Sequence, residues 1–290
     1  MRLGVVADPH LSVQRDEPAS WHNPYRLHDA HERLDRALHH PLLDDVDAIA
    51  LLGDIAHFGD RASLRAAVDI IAAASGARPV IVLSGNHDVL EAGVRLEDEV
   101  AAVGDLNVVS PCAWPDSSPV IKPFEAEGFG LHVHEVMAVT DRATEPFDVR
   151  GWTKVAGVRG DLLLSHFPVL SFERRAREAG LLYSGHLSQL APVRDLTVPN
   201  SPICPVVAMS GHLHLRGVAA DGAVLQFAFA ALVEAPYELA RVELDWDRDD
   251  LVVRYRCESA HPPDMATLPV LDPPLGTWRW CSQRGWSNTG

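Results

Sequence analysis

Pro79-Val80-Ile81-Val82-Leu83-Ser84-Gly85-Asn86-His87-Asp88 is the stretch on which the reading of this chain turns. The first six residues are apolar, rich in β-branched side chains and bounded by Pro and Gly, which predicts a short buried strand. Gly85-Asn86-His87-Asp88 then falls where that strand ends and turns. In open sheets covered by helices, ligands gather at the C-terminal ends of strands. Gly85 permits a close backbone approach, Asn86 offers a neutral amide oxygen, and His87 can ligate a metal or carry a proton. A single Gly-Asn-His-Asp is compatible with a plain turn. Four other strand ends in the same chain carry chemically matching residues.

Leu3 to Ala7 ends at Asp8-Pro9-His10, and Ala48 to Leu52 ends at Gly53-Asp54. Leu162 to Ser165 ends at His166, and Val206 to Ser210 ends at Gly211-His212-Leu213-His214. Between the first three strands lie two helical patterns. One uses Ala30, Leu34, Ala37, Leu38 and Leu42; the other uses Leu64, Ala67, Val68, Ile71 and Ala72, with Asp60 as N-cap and Gly76 as C-cap. Alternating strands and helices predict an α/β domain. A further helix is expected over Glu91–Val103, then short strands and turns from about Asn107 to Val139. Three strand-like runs, Val224–Leu232, Glu238–Leu244 and Leu251–Cys257, predict a meander. From Ser259 onward, Pro262, Pro263, Pro269, Pro273 and Pro274 predict an irregular tail, with Trp278, Trp280 and Trp286 packing on the body or on a partner.

Composition narrows the function classes. The chain has 290 residues, 47% hydrophobic and 22% charged, with a net charge of −15 when His is neutral. These are ordinary values for a soluble globular protein. The acidic balance argues against general nucleic-acid binding, although not against a small phosphorylated ligand. No run approaches the ~18 consecutive apolar residues of a membrane span. The N-terminus reads straight into a core strand, and the four cysteines, Cys112, Cys204, Cys257 and Cys281, form no Cys-x-x-Cys pair. A reduced, cytoplasmic protein is the expectation.

Asp8, His10, Asp54, Asn86, His166, His212 and His214 together make a mixed carboxylate, imidazole and amide set. That mixture suits Mn, Fe, Zn or Ni better than Ca or a thiolate-bound zinc. In Asp-x-His and His-x-His the two side chains share one face of an extended backbone and can approach one centre. Seven ligands exceed one tetrahedral ion but suit two divalent ions bridged by Asp54. Such a pair clamps a phosphate, lowers the pKa of a bridging water and stabilises both apical oxygens of an in-line displacement. His87 is left over, to protonate the leaving oxygen or to stabilise developing charge on the phosphoryl group.

The ordered set Asp-x-His, Gly-Asp, Gly-Asn-His-Asp, His and Gly-His-x-His resembles the calcineurin-like metallophosphoesterases, with all five blocks in the family's order between residues 8 and 214. The resemblance implies a four-layer α/β-β/α sandwich of two mixed sheets flanked by helices, with residues 1–258 as the catalytic domain and 259–290 as the tail. It implies that Asp8, His10 and His214 hold one metal, that Asn86, His166 and His212 hold the other, that Asp54 bridges them, and that His87 is catalytic. The Gly53-Asp54 and Gly59-Asp60 pair most resembles the bacterial branch containing cyclic-nucleotide phosphodiesterases; Leu11–Tyr25 and Asp105–Gly160 give no second signature, so no substrate follows from it. The expected function is metal-dependent hydrolysis of a small soluble phosphoester, a monoester or a cyclic-nucleotide-like diester. The alternatives are a non-catalytic metal-binding scaffold of the same fold and a nuclease of the same family. An amidohydrolase would place His-x-His on the first strand, and a metallo-β-lactamase would extend it to His-x-His-x-Asp-His. Neither pattern is present.

Five further residues are candidates for touching substrate: His57, soon after Asp54; Trp21 and His22, which with Tyr25 could stack a ring; Arg174, beside Arg175; and His186, in a Tyr-Ser-Gly-His turn. A second His-x-His, His132 and His134, reads as a solvated strand face without carboxylate partners.

Overall fold

The computed structural model describes residues 1–13, 16–105, 107–110, 124, 126–134, 136, 158–187, 204–261 and 268–290. Two mixed sheets dominate it. The larger contains β1 (Arg2–Val6), β2 (Ala48–Leu51), β3 (Val80–Val82), β4 (Val108–Val109), β10 (Glu238–Asp247), β11 (Asp250–Ser259), β12 (Leu275–Cys281) and β13 (Gly285–Asn288), in the order β13-β12-β11-β10-β1-β2-β3-β4. β1 to β4 run parallel, and β10 to β13 form an antiparallel meander joined to β1. The smaller contains β5 (Phe129–His134), β6 (Gly160–Ser165), β7 (Val206–Ser210), β8 (Gly217–Asp221) and β9 (Val224–Ala228), in the order β5-β6-β7-β9-β8. All but β8 are parallel there.

Period-two side chains explain the stacking. Leu3, Val5 and Ala7 from β1 and its exit meet Leu162 and Leu164 of β6, Val207 and Met209 of β7, and Leu225 and Phe227 of β9 in one core between the sheets. The alternate residues Val6, Ile49, Leu51, Val80 and Val82 face outward, onto α1 (Ala30–Leu38), α2 (Arg61–Ser75) and α3 (Leu96–Val103). The outer side of the smaller sheet carries the short α4 (Glu173–Glu178), through Phe172 and Ala176. Helices thus flank two face-to-face mixed sheets, as expected. Among the described residues no helix is long and apolar enough to cross a membrane.

Four expectations need correction. The predicted helix over Glu91–Val103 starts only at Leu96, where Glu97, Asp98 and Glu99 occupy the first turn and suit its positive end. The run from Val224 does not join the meander: β9 turns back on β8 and pairs in parallel with β7. The tail is not irregular throughout, because Pro269, Pro273 and Pro274 all precede β12 and leave its ladder free of proline. Trp280 is buried in the core between the sheets, and Trp286 donates to the Ala223 carbonyl at 2.8 Å. Pro262 and Pro263 lie outside the described residues. Finally, His132 and His134 are not solvated; all six residues of β5 are buried, and His132 Nε2 meets Asp161 Oδ1 at 2.9 Å.

Candidate metal centre

The C-terminal ends of five parallel strands, three from the larger sheet and two from the smaller, converge on one edge of the sandwich. β1 delivers Asp8 and His10, β2 delivers Asp54, and β3 delivers Asn86 and His87. Across the interface, β6 delivers His166 and β7 delivers His212 and His214. Ligand-capable atoms of Asp8, His10, Asp54 and His214 lie within 4.8 Å of one another, as do those of Asp54, His166 and His212. Asp54 is common to both groups. Its Oδ2 sits 3.5 Å from His10 Nε2 and 3.4 Å from His166 Nε2, while its Oδ1 accepts the His87 backbone N–H at 2.8 Å. Asn86 Oδ1 joins the second group, 3.1 Å from His166 Nε2.

The backbone that brings these side chains together is not extended. Asp8, His10, Asp54, His212 and His214 all have φ between 48° and 66°, and they account for five of the seven described non-glycine residues at positive φ. Asp-x-His and His-x-His therefore converge through paired left-handed residues, rather than through the one face of a strand that their spacing suggests. Left-handed backbone is costly for non-glycine residues and concentrates at functional sites. The loops also approach closely: a Cβ on Gly85 would lie 2.2 Å from the Asp54 amide nitrogen, and one on Gly211 would lie 2.6 Å from Asp8 Oδ2. Both carboxylates are thus cradled by backbone that no larger residue permits.

Each imidazole is oriented through one ring nitrogen. His166 Nδ1–H donates to the Leu52 carbonyl at 2.8 Å, and His214 Nδ1–H donates to Glu234 Oε1 at 2.7 Å. His10 Nδ1 lies 3.1 Å from His57 Nδ1, and His212 Nε2 lies 2.9 Å from Ser184 Oγ. Partners of this kind fix the tautomer of metal-binding histidines. Electrostatics follow from crowding among buried groups. Burial raises Asp8 to about 6 although His214 and His166 pull it down. Burial also raises Asp54, but His166 and His87 outweigh it and hold the carboxyl well below the usual range. Burial lowers His166, and the Asp54 and Asp8 carboxylates overcome that to lift it to about 9. Burial and the neighbouring His87 take His57 down to about 4. Among the described residues the ion-pair partners of Asp8 and Asp54 are all histidines. Buried carboxylates whose side-chain ion-pair partners are imidazoles, on a strained backbone, fit divalent cations as counter-charge.

A cavity of about 240 Å³ opens over this centre, lined by Trp21, Tyr25, Asp54, His57, Asn86, His87, Ser184, His212 and His214 among others. Of the substrate-contact candidates, the structure brings Trp21 and His57 to the cavity. His22 instead donates to the Leu213 carbonyl at 3.1 Å, outside the lining. His186 packs with Tyr183, whose hydroxyl is 2.8 Å from Nδ1, and its neighbour Ser184 reaches the site. Arg174 is exposed on α4, away from the lining, because the inward side of that turn is used by Arg175 to pair with Asp272.

Sequence reasoning gave no role to three residues that shape the centre. Asp88 accepts the backbone N–H groups of Ile55, Ala56 and Gly85 at 3.0, 2.7 and 2.8 Å, so that it staples the Asp54 turn to the Gly85 turn. Burial and the nearby Asp54 charge push its carboxyl up to about 7, against those hydrogen bonds. Glu234 supports His214, and Ser184 supports His212. A short acid directly after a glycine turn was a signal for Asp88; an acid ending the apolar run Phe227–Val233 was one for Glu234.

A family model described as calcineurin-like phosphoesterase matches residues 1–216. Among solved structures, a dimetal phosphatase from Danio rerio aligns with a TM-score of 0.57 at 14% identity, covering 90% of this chain and 96% of that one. A purple acid phosphatase from yellow lupin seeds gives 0.47 at 13% identity, covering 93% of this chain and 53% of that one. A phosphopantetheinyl hydrolase from Mycobacterium tuberculosis gives 0.41 at 14% identity, covering 79% and 89%. No curated relative matches the chain by sequence. At 14% identity the likeness to the dimetal phosphatase speaks to the fold alone; the family match, spanning all five blocks of the site, speaks to descent. The chain belongs to the calcineurin-like phosphoesterase family.

Proposed function

We propose that the protein is a divalent-metal-dependent phosphoesterase acting on a small phosphoester. The observation that carries this reading is the pair of donor groups sharing Asp54 beneath a cavity that His87 lines. Asp8, His10, His214 and Asp54 would hold one ion, and Asn86, His166, His212 and Asp54 the other. When bound, such a pair supplies Lewis-acid stabilisation of phosphoryl charge and acidifies water for attack on phosphorus. The chain's own residues do the rest. His87 Nδ1–H is held by the His57 carbonyl at 2.6 Å, which leaves Nε2 to hold a proton and pass it to the leaving oxygen. With His10 Nε2 turned to the first group, its Nδ1–H donates to His57 Nδ1 and so places the His57 proton on Nε2, a neutral donor for a phosphoryl oxygen. Trp21 and Tyr25 wall the cavity and favour a compact organic group next to the phosphate. The net charge of −15 supports a small substrate rather than a polyanion.

The test is turnover of p-nitrophenyl phosphate and bis-p-nitrophenyl phosphate with Mn²⁺ and with EDTA. Metal-dependent cleavage of at least one is expected. His87→Ala should lower kcat by about 10²–10⁴-fold, and Asp54→Ala should abolish turnover. Activity that survives EDTA, or a fully active His87→Ala protein, would overturn the proposal. The ratio of the two activities separates monoester from diester chemistry.

A further inference from the structure

We infer that Glu234 is a positioning residue that couples occupancy of the first metal site to order in the loop walling the substrate cavity. The inference rests on the metal-dependent reading above. Glu234 lies beyond residues 1–216, the part that the family model matches, and it is completely buried. Its two carboxylate oxygens serve different elements. Oε1 accepts the Nδ1–H of His214 at 2.7 Å, and Oε2 accepts the backbone N–H of Asn23 in a short hydrogen bond.

Both partners are committed. Asn23 is itself buried and donates its side-chain amide to the Ala235 carbonyl at 3.0 Å; the Arg26 N–H donates to the Val233 carbonyl at 3.1 Å. The segment 232–235 is in turn anchored at the exit of β1, where Leu232 and Val233 donate to the carbonyls of Ala7 and Asp8 at 2.9 and 3.2 Å. Trp21 and Tyr25, on either side of Asn23, line the cavity, and the Tyr25 hydroxyl lies 3.4 Å from His214 Nδ1. One buried carboxylate therefore joins a ligand histidine to the two aromatic walls of the substrate site.

The consequence follows from hydrogen-bond chemistry. Withdrawal of electron density at His214 Nε2 by a cation makes Nδ1–H a stronger donor, which fixes Glu234 and with it the Asn23 amide. By linkage, a loop that is already ordered favours the cation to the same degree.

Mn²⁺ affinity, by titration calorimetry, and amide hydrogen exchange of residues 16–26 are to be measured with and without Mn²⁺ on the full chain. In the wild type, Mn²⁺ should slow exchange across this loop, the Asn23 amide included. Glu234→Ala should weaken Mn²⁺ by about 10–100-fold and leave loop exchange indifferent to Mn²⁺. Glu234→Gln separates the two functions: its oxygen still accepts from His214, while its amino group opposes the Asn23 N–H. It should bind Mn²⁺ within a few-fold of wild type yet lose the slowing of loop exchange, and it decides the matter if the alanine variant does not fold. Wild-type affinity in Glu234→Ala, or an unaltered Mn²⁺ response of the loop in Glu234→Gln, would overturn the inference while leaving the proposed function standing. Failure of the wild type to bind Mn²⁺ would overturn both.

Discussion

Asp88 offers the sharpest test of how the centre is held together. Its carboxylate takes three backbone N–H groups from two turns, with Oδ2 accepting from Ile55 and Gly85 and Oδ1 from Ala56. Asp88→Ala strands all three donors in a buried site. At about 1–3 kcal/mol for each buried unsatisfied group, the loss is on the order of 3–9 kcal/mol, a large part of the 5–15 kcal/mol typical of a domain. Asp88→Asn is gentler. Its oxygen can replace Oδ2 and keep two donors, while its amino group faces the Ala56 N–H, for a loss of about 1–3 kcal/mol. Because burial and Asp54 already push this carboxyl up to about 7, a neutral isostere forfeits little charge, and the cost lies mainly in geometry. The assay is urea unfolding in EDTA, followed by kcat and KM of the asparagine variant with Mn²⁺. Looser Asp54 and Asn86 turns should lower kcat by roughly 10–100-fold with KM nearly unchanged. Both variants unfolding within about 0.5 kcal/mol of wild type, the ordinary scatter of surface substitutions, would refute the stapling role.

The pH dependence of metal binding has a defined sign. His166 is raised to about 9 by Asp54 and Asp8 against its burial, so at neutral pH it must release a proton before it can ligate. Mn²⁺ affinity measured by calorimetry should climb by about tenfold per pH unit between pH 7 and 9; a flat profile there would refute the raised titration of His166. The same shift stabilises the metal-free fold fully below the ordinary histidine value of 6.5 and withdraws that contribution as pH rises through about 9. Gly85→Ala and Gly211→Ala each drive a Cβ into a carboxylate turn; each should cost about 1–3 kcal/mol in thermal unfolding and weaken Mn²⁺ binding, and wild-type affinity in both would deny the close cradle. Trp280→Ala, in the core between the sheets, should cost about 3–5 kcal/mol by chemical denaturation, whereas a loosely attached tail would leave stability unchanged.

What the sequence disclosed and what it withheld divide along physical lines. Strand ends were legible because β-branched runs stop abruptly at polar residues, and such ends face ligands whichever sheet they join. The cap of α2 was legible because its partner is local: Asp60 accepts the Ser63 N–H at 2.9 Å, three residues away. The pairing of β9 was not, since a polar turn at Gly222 says that the chain reverses and nothing about which sheet receives it. His132 was misread for a related reason. Alternation marks one face of a strand as polar, but Asp161 on the adjacent β6 pairs with His132 across that face, at 2.9 Å, and lets the histidine be buried. Glu234 and Asn23 are 211 residues apart, and no local pattern links them. His186 and Ser184 show the limit at its finest: the turn was located, yet the residue that enters the site is two positions away from the one its chemistry recommended.

The left-handed residues show why the strand register matters to the chemistry. Five non-glycine positions at positive φ, at roughly 1–2 kcal/mol each, concentrate a cost of several kcal/mol at one edge of the sandwich. None falls within a ladder. β1 pairs with β2 up to Val6, and Asp8 and His10 follow; β7 pairs with β9 up to Ser210, and His212 and His214 follow. The register therefore fixes the point at which each chain is released into the strained turn, and the core between the sheets sets the distance across which the two releases face each other. A one-residue slip of β7 would send Met209 outward and withdraw both histidines from Asp8 together. The same apolar faces that hold the sheets together thus set the spacing of the candidate metal ligands, which is why residues as distant in sequence as His10 and His214 can present ring nitrogens 3.2 Å apart.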